Sequence, residues 1–287
     1  MSLISPTSRS VECICSRFGR ITTLFSCIII GISWSVQAQE GAAITPESTE
    51  LYVDLEQVRP GLTPQEAPSD AIVLFDGTDL AGWQAMQLRI TGDMPGMVES
   101  VADYEPGRVT EPAQWEVAGG VMTVAPGRGA IETKRAFGDV QLHVEWKAPV
   151  AEGKSGQGYS NSGVFFMGLY EVQILNSYEN ETYNNGQASS VYKQHIPLVN
   201  ASRAPGEWQS YDLLFMAPRC SEQGSLVSPA RITVFHNGVL VQNSVELLGP
   251  TTYIGASHYT PHPEKMPLAL QDHGDPVQFQ NIWIREL

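Results

Sequence analysis

Gln141-Leu142-His143-Val144-Glu145-Trp146-Lys147 puts Leu142, Val144 and Trp146 on one side of an extended chain and Gln141, His143, Glu145 and Lys147 on the other. A period of two is the mark of a strand with one buried and one wet face. Residues 169–175 repeat it, with Tyr170, Val172 and Ile174 opposed to Glu171 and Gln173. Residues 231–235 and 239–242 flank His236-Asn237-Gly238, whose Asn-Gly pair predicts a two-residue hairpin turn. Over residues 277–284 the alternation changes phase between Phe279 and Ile282, which predicts a bulge near Gln280 and Asn281. No long stretch after Ala71 keeps a helical period, so the expected class is all-β, built from short strands punctuated by Gly, Pro and Asn.

Upstream of the strands the chain reads differently. Arg9, Arg17 and Arg20 lead into an apolar run over residues 21–36, and Val36-Gln37-Ala38 offers small residues at the two positions a signal peptidase inspects. The run falls short of the ~20 residues a membrane span needs. Residues 1–38 therefore read as a secretory signal that leaves no transmembrane anchor after processing, and the protein is expected to be exported, periplasmic or secreted. Residues 39–70 are acidic and carry Pro46, Pro60, Pro64 and Pro68, the composition of a disordered linker. The folded domain is expected over residues 71–287.

Removing the signal takes away Cys13, Cys15 and Cys27, so Cys220 alone remains and no disulfide can close within the exported chain. Three arginines and Glu12 leave with it, which moves the net charge from −14 to −16. That excess argues against nucleic acid or an anionic membrane surface, which both need clustered Lys and Arg. A neutral ligand such as a carbohydrate is compatible with it.

A sandwich that binds sugar needs a polar face with carboxylates or amides for hydroxyls and aromatic planes for ring faces. His143, Glu145 and Lys147 share one strand face; Glu171 and Gln173 share another, close to Asn161-Ser162-Gly163. Between Asn176 and Gly206 a long polar and aromatic stretch carries Tyr178, Tyr183, Tyr192, Lys193, His195 and Arg203, and loops of this length are usually functional or disordered. Gln271 and His273 fall on one side of an otherwise apolar strand. His258, His262 and Glu264 have the ingredients of a metal site, but their spacing matches no specific motif.

One absence separates mechanisms. Sandwich glycanases that retain configuration set two carboxylates about 5 Å apart across one glycosidic bond. On the strand where carboxylates would alternate, Glu171 is followed at the matching positions by Gln173 and Leu175. A direct retaining hydrolase would thus lack its acid or its nucleophile. A non-catalytic lectin-like binding module and an envelope structural protein remain open on the same residues.

Several motifs together resemble one family. They are Val73-Leu-Phe-Asp-Gly-Thr-Asp-Leu-Ala-Gly-Trp83, Leu142-His-Val-Glu-Trp-Lys147, Asn161-Ser-Gly-Val-Phe-Phe166, Tyr170-Glu-Val-Gln-Ile174, Gly206-Glu-Trp-Gln209 with Tyr211, and Asn281-Ile-Trp-Ile-Arg-Glu-Leu287. Residues 71–287 are similar to the 3-keto-disaccharide hydrolases, with an insertion-like segment over residues 86–111. The resemblance implies a concanavalin-like jelly-roll β-sandwich of two antiparallel sheets and a carbohydrate substrate, a 3-keto-glycoside or 3-keto-disaccharide. A ketone at C3 acidifies the C2 proton, so the glycosidic bond can break by C1–C2 elimination followed by hydration, without a glycosyl-enzyme nucleophile. Such a site needs a base, a group to hold the enolate and an acid for the leaving oxygen. Glu145 or Glu171 suits the base and His273 the acid. Lys147, Gln173 or Arg285 suits the oxyanion, and a bound divalent cation would serve in its place. His143, Asn161, Tyr192, Lys193 and Gln271 complete the expected substrate contacts.

Mass spectrometry of secreted protein is expected to show Gln39 as the first residue and Cys220 as one alkylatable thiol. Recovery of residues 28–32 in a membrane fraction would establish an anchor instead.

Overall fold

The computed structural model describes residues 45–88 and 104–287. The expected signal peptide and three of the four cysteines lie outside the described residues. One compact unit runs over Glu56–Leu287; of the unit before it, a single 3₁₀ turn at Pro46–Thr49 is described. Among the described residues no helix is long and apolar enough to cross a membrane.

The strands are β1 (Ile72–Phe75), β2 (Trp83–Ala85), β3 (Glu116–Ala118), β4 (Val121–Thr123), β5 (Ile131–Phe137), β6 (Val140–Lys147), β7 (Ser162–Phe166) and β8 (Tyr170–Ile174). The second half supplies β9 (Trp208–Met216), β10 (Arg219–Cys220), β11 (Leu226–Ser228), β12 (Arg231–His236), β13 (Val239–Glu246), β14 (Met266–Leu270) and β15 (Gln278–Glu286). The larger sheet, here sheet A, runs β13-β12-β9-β6-β15-β4-β3 with β1 also on β15; sheet B runs β2-β5-β14-β7-β8. Every pairing is antiparallel. β10 and β11 form a separate hairpin.

The two sheets face each other across one core, to which β6 gives Leu142, Val144 and Trp146, β9 gives Tyr211, Leu213 and Phe215, and β8 gives Tyr170, Val172 and Ile174. Phe166 of sheet B stacks on Phe215 of sheet A, ring centroids 4.6 Å apart. The protein is thus the all-β sandwich of two antiparallel sheets that the alternation and the family motifs predict. The turn after β12 has Asn237 and Gly238 at φ 52° and 78°, the left-handed pair a type I′ hairpin requires. The bulge is where the phase change puts it: Gln280 pairs with Glu145 and Trp283 with His143, so β15 spends one more residue than β6, and Asn281 takes φ 46°. The extra residue lets both Phe279 and Ile282 reach the core.

The segment before β1 does not behave as the free linker expected over residues 39–70. From Glu56 it belongs to the compact unit and lies on the outer face of sheet A. Gln65 O accepts from Asn281 Nδ2 and Trp283 Nε1, both at 2.9 Å, and Asp70 pairs with Arg285. A cavity of about 580 Å³ remains beside this strap, lined by Pro60, Leu62, Pro64, Gln141 and Trp283 among others. Turns close around Pro64 and at Pro68, where Glu66 N donates to Thr63 O at 3.1 Å and Ala71 N to Pro68 O at 3.0 Å.

At the other end of the molecule, β8 would be a bare edge. Residues 188–192 cover it: Ser189 N donates to Gln173 O, Gln173 N to Ser190 O and Tyr192 N to Glu171 O. The cover is pinned from sheet A, where Ser189 Oγ meets His236 Nδ1 at 2.9 Å and Tyr211 Oη donates to Gln173 O at 2.8 Å.

Burial, with a smaller contribution from the Arg203 charge, pulls the His236 pKa down to about 3 from an ordinary 6.5. The unfolded chain takes this proton near pH 6.5 and the folded one only near 3, so the stability at stake is whole above pH 6.5 and is lost as pH falls toward 3. Urea unfolding is expected to show a lower midpoint at pH 4.5 than at pH 7, with a shallower decline in His236→Gln. Glu145→Leu, which strands two amide donors, is expected to cost about 1–3 kcal/mol in the same assay.

Candidate active site

Glu171 and Gln173 alternate with core residues of β8, so both project from the outer face of sheet B. Cross-strand pairing places Glu171 opposite Phe165 of β7, Phe165 opposite Ala269 of β14, and Ala269 opposite Glu132 of β5. One row therefore carries a carboxyl at each end, three strand spacings or ~14 Å apart. Phe165 and Ala269 lie between them, and Gly163 stands one row along, opposite Gln173. A Cβ on Gly163 would stand 2.7 Å from Glu171 Oε1 and 3.1 Å from its Cγ, so the carboxyl lies over this glycine.

Glu171 is 2% exposed, and burial raises its pKa well above the ordinary carboxylate range. Its Oε2 has no hydrogen-bond partner among the described residues. Its Oε1 lies 3.0 Å from the end of the Gln173 amide, which also lies 2.9 Å from Ser162 O. The other end of that amide approaches Gln157 Oε1 at 3.2 Å and Asn161 Oδ1 at 3.5 Å. A buried carboxyl with a free oxygen is costly to keep. Such groups gather where chemistry is done.

The covering loop brings aromatics and a cation. Tyr183 and Tyr192 share a hydrogen bond of 2.6 Å, and burial raises both their pKa values, the Glu171 charge contributing to each. The Lys193 ammonium sits 4.0 Å from the Tyr183 ring centre, 5.1 Å from that of Tyr253 and 5.9 Å from that of Tyr192. Lys193 and Ser189 are held at φ 63° and 69°, a conformation side-chain-bearing residues rarely adopt. Asn185 helps hold that bend: its backbone O accepts from Lys193 N at 2.8 Å and its Nδ2 donates to Lys193 O at 3.2 Å.

Beyond β14, Gln271 is buried with Oε1 unpartnered while its backbone O accepts from Ser162 Oγ. Asp275 pairs with Lys154 and accepts from Asn161 N. His273 lies between Gln271 and Asp275, and burial lowers its pKa against the opposing pull of Asp275 and Asp272.

The structure thus gathers Asn161, Glu171, Gln173, Tyr192 and Lys193 on one side of sheet B, with Gln271 and His273 at the neighbouring strand end. It does not bring Glu145, His143, Lys147 or Arg285 to them; these face outward from sheet A. Glu145 accepts from Asn281 Nδ2 at 2.8 Å and from Gln280, so both its oxygens are engaged. His143 is fully buried beneath the Trp283 ring with Nδ1 2.7 Å from Asp212 Oδ1. Lys147 lies over the Trp208 ring at 4.6 Å, and Arg285 is paired with Asp70. Of the two carboxyls suited to the base, Glu145 is set apart from His273 because its strand belongs to sheet A, whereas Glu171 and the strand leading to His273 belong to sheet B.

The metal ingredients also separate. His262 donates from Nδ1 to Pro263 O and accepts from Tyr170 Oη at Nε2, a pairing that its depressed, burial-lowered pKa supports. Among the described residues no three His, Cys, Asp or Glu side chains gather as ligands.

Sequence reasoning missed Glu132, 1% exposed, with its pKa raised by burial and its carboxyl bonded by Gln84 at 3.0 Å. Its only signal is alternation with Ile131, which the charged Lys134 and Arg135 that follow conceal.

Comparison with known proteins now bears on this site. Residues 70–285 match the 3-keto-alpha-glucoside-1,2-lyase-like domain. A candidate glycosyl hydrolase from Parabacteroides distasonis, solved as a crystal structure, is 42% identical, with 86% of this chain and 98% of that chain covered and a TM-score of 0.74. A second such protein from the same organism is 18% identical, with 80% of this chain and 100% of that one covered and a TM-score of 0.52, a likeness of fold alone. No curated protein matches the chain. With the domain match spanning nearly the whole sandwich and the first relative matched along almost its full length, the chain belongs to the 3-keto-alpha-glucoside-1,2-lyase-like domain family.

Proposed function

We propose that this protein cleaves 3-keto-glycosides by elimination across C1 and C2 followed by hydration, with Glu171 as the base. The observation that carries the reading is the Glu171 carboxyl itself, buried, raised in pKa, seated over Gly163 and left with one unpartnered oxygen. A carboxylate of this kind is a stronger base than one in water, as removal of a carbon-bound proton demands.

In this reading Glu171 Oε2 takes the C2 proton and the electron pair moves into the C3 carbonyl, giving an enolate. The Lys193 ammonium holds the developing oxyanion. The enolate collapses to C1=C2 and expels the aglycone oxygen, which takes a proton from Tyr192, a phenol that burial keeps neutral. Water then adds at C1 and gives a proton back to the Tyr192 phenolate, and Glu171 returns its proton to C2, so both side chains are restored and the net change is hydrolysis. Gln271 Oε1 and Asn161 are suited to hold sugar hydroxyls, and His273, whose lowered pKa keeps it uncharged, suits hydrogen bonding better than proton donation. Export to the periplasm or medium would place this chemistry where glycosides arrive.

Glu171→Gln is expected to lower turnover of a 3-keto-disaccharide by ~10²-fold or more, while Glu145→Gln leaves turnover near wild type. The parent disaccharide, lacking the ketone, should stay intact, and cleavage in deuterated water should label C2 of the released keto-sugar beyond the exchange of free product. Equal cleavage of keto and parent sugars would defeat the mechanism; binding of both without cleavage would assign a lectin-like role.

A further inference from the structure

The Gln173 amide is boxed in by oxygen. One of its ends faces Glu171 Oε1 at 3.0 Å and Ser162 O at 2.9 Å; the other faces Gln157 Oε1 at 3.2 Å, Gly186 O at 3.4 Å and Asn161 Oδ1 at 3.5 Å. The Gln157 and Asn161 amides cannot freely turn to help. Gln157 Nε2 is committed to Gly186 O at 2.8 Å and Thr182 Oγ1 at 3.0 Å, and Asn161 Nδ2 to Gln157 O at 2.9 Å. A primary amide has two N–H donors at one end and none at the other. Whichever way Gln173 turns, one end meets lone pairs.

The variable in this box is the proton on Glu171. With the carboxylate ionised, nitrogen toward Glu171 gives a charge-assisted bond and a second bond to Ser162 O. With the carboxyl protonated, its O–H donates to Gln173 Oε1, and the amide nitrogen then faces the three oxygens at the far end. We infer that the Gln173 side chain turns over as Glu171 gains and loses its proton, and so is the positioning residue that lets a fully enclosed carboxyl serve in both states of a proton-transfer cycle. The inference deepens the proposed function and rests on Glu171 being the base for its catalytic consequence, though not for the coupling itself.

Among the described residues the other groups around the carboxyl are differently engaged. β7 contributes Ser162, Gly163 and Phe165, none titratable. Thr251 is used by Glu171 N at 2.9 Å. The covering loop presents Tyr183 and Tyr192, bonded to each other, and Lys193, whose ammonium lies among tyrosine rings. Glu132 stands at the far end of the row, and His273, Asp272, and Asp275 paired with Lys154 belong to the strand end after β14. Among the described residues Gln173 alone has a side-chain amide within bonding distance of the Glu171 carboxyl.

The sign follows from bond strengths. A hydrogen bond to the carboxylate is stronger than one from the neutral acid, so removing the amide raises the affinity of Glu171 for its proton. Gln173→Met keeps length and volume. It is expected to move the Glu171 titration upward by at least ~1 pH unit, a tenfold change, and to shift the acidic limb of kcat by the same amount with KM little changed, so that activity lost at neutral pH returns at higher pH. The titration is read by NMR of protein labelled with carbon-13 in its glutamate carboxyls, and Glu171→Gln assigns the signal. In wild-type protein labelled with nitrogen-15 in glutamine side chains, the Gln173 signal should change across the Glu171 titration and fall silent to pH in Glu171→Gln, a readout that needs no Gln173 variant to fold. A Glu171 titration unmoved in Gln173→Met, or a Gln173 signal indifferent to it, overturns the inference. A titration that moves while the kcat profile stays fixed upholds the coupling and removes Glu171 as the base.

Discussion

Everything at the proposed site depends on closing the free edge of β8. A bare edge strand would expose the backbone of Glu171 and Gln173 to water and leave their side chains in a mobile margin. Residues 188–192 prevent this with backbone hydrogen bonds on both sides of Gln173, and the Gln173 carbonyl takes a second bond, from Tyr211 across the core. The position of the cover is set from sheet A, because His236 is fastened between Ser189 Oγ and Gln209 Oε1. That His remains uncharged in its apolar surroundings is part of the fastening: Nε2 donates to Gln209 while Nδ1 accepts from Ser189. The face of sheet B that carries the proposed base is thus held by polar groups that grow from sheet A.

The same residue type takes opposite roles on the two outer faces. Glu145 and Glu171 both alternate with core residues on neighbouring-looking strands, yet Glu145 is met by two amides produced by the β15 bulge, and a strap of chain lies over the ring beside it. Glu171 has a glycine beneath it, phenylalanine beside it and one amide in reach, so its free oxygen is desolvated without compensation. The cost is of order 1–3 kcal/mol or more for such a group, which the closely packed core elsewhere must offset.

Alternation made the strands, the Asn-Gly turn and the β15 bulge legible, since each is a local property of a few residues. The division of the site was not. A period of two says that a strand has two faces but not which sheet the strand joins, and the motifs around Glu145 and Glu171 looked alike in that respect. Pairing over long separations decides it, as between Gln65 and Trp283 or between Glu132 and Ala269. The strap was unreadable for a related reason: its prolines and acids give no period, and its order comes from donors on a strand more than 200 residues away. Tyr192 and Lys193 were legible as members of an aromatic stretch too polar for a core, while their clustering over Glu171 follows from the edge closure.

Burial alone would make a poor base. A carboxyl pushed far enough up in pKa is protonated at neutral pH and takes nothing from carbon, while one left in water is too weak for the task. The useful range lies between, reached by offsetting desolvation with a limited number of favourable contacts. Here, among the described residues, the Gln173 amide supplies the one side-chain contact to the carboxyl, and the Lys193 ammonium rests over the rings of Tyr183, Tyr253 and Tyr192. The glycine beneath the carboxyl and the enclosed amide fit the requirement of the proposed base: a carboxyl that stays basic in a dry site and still lets its proton go.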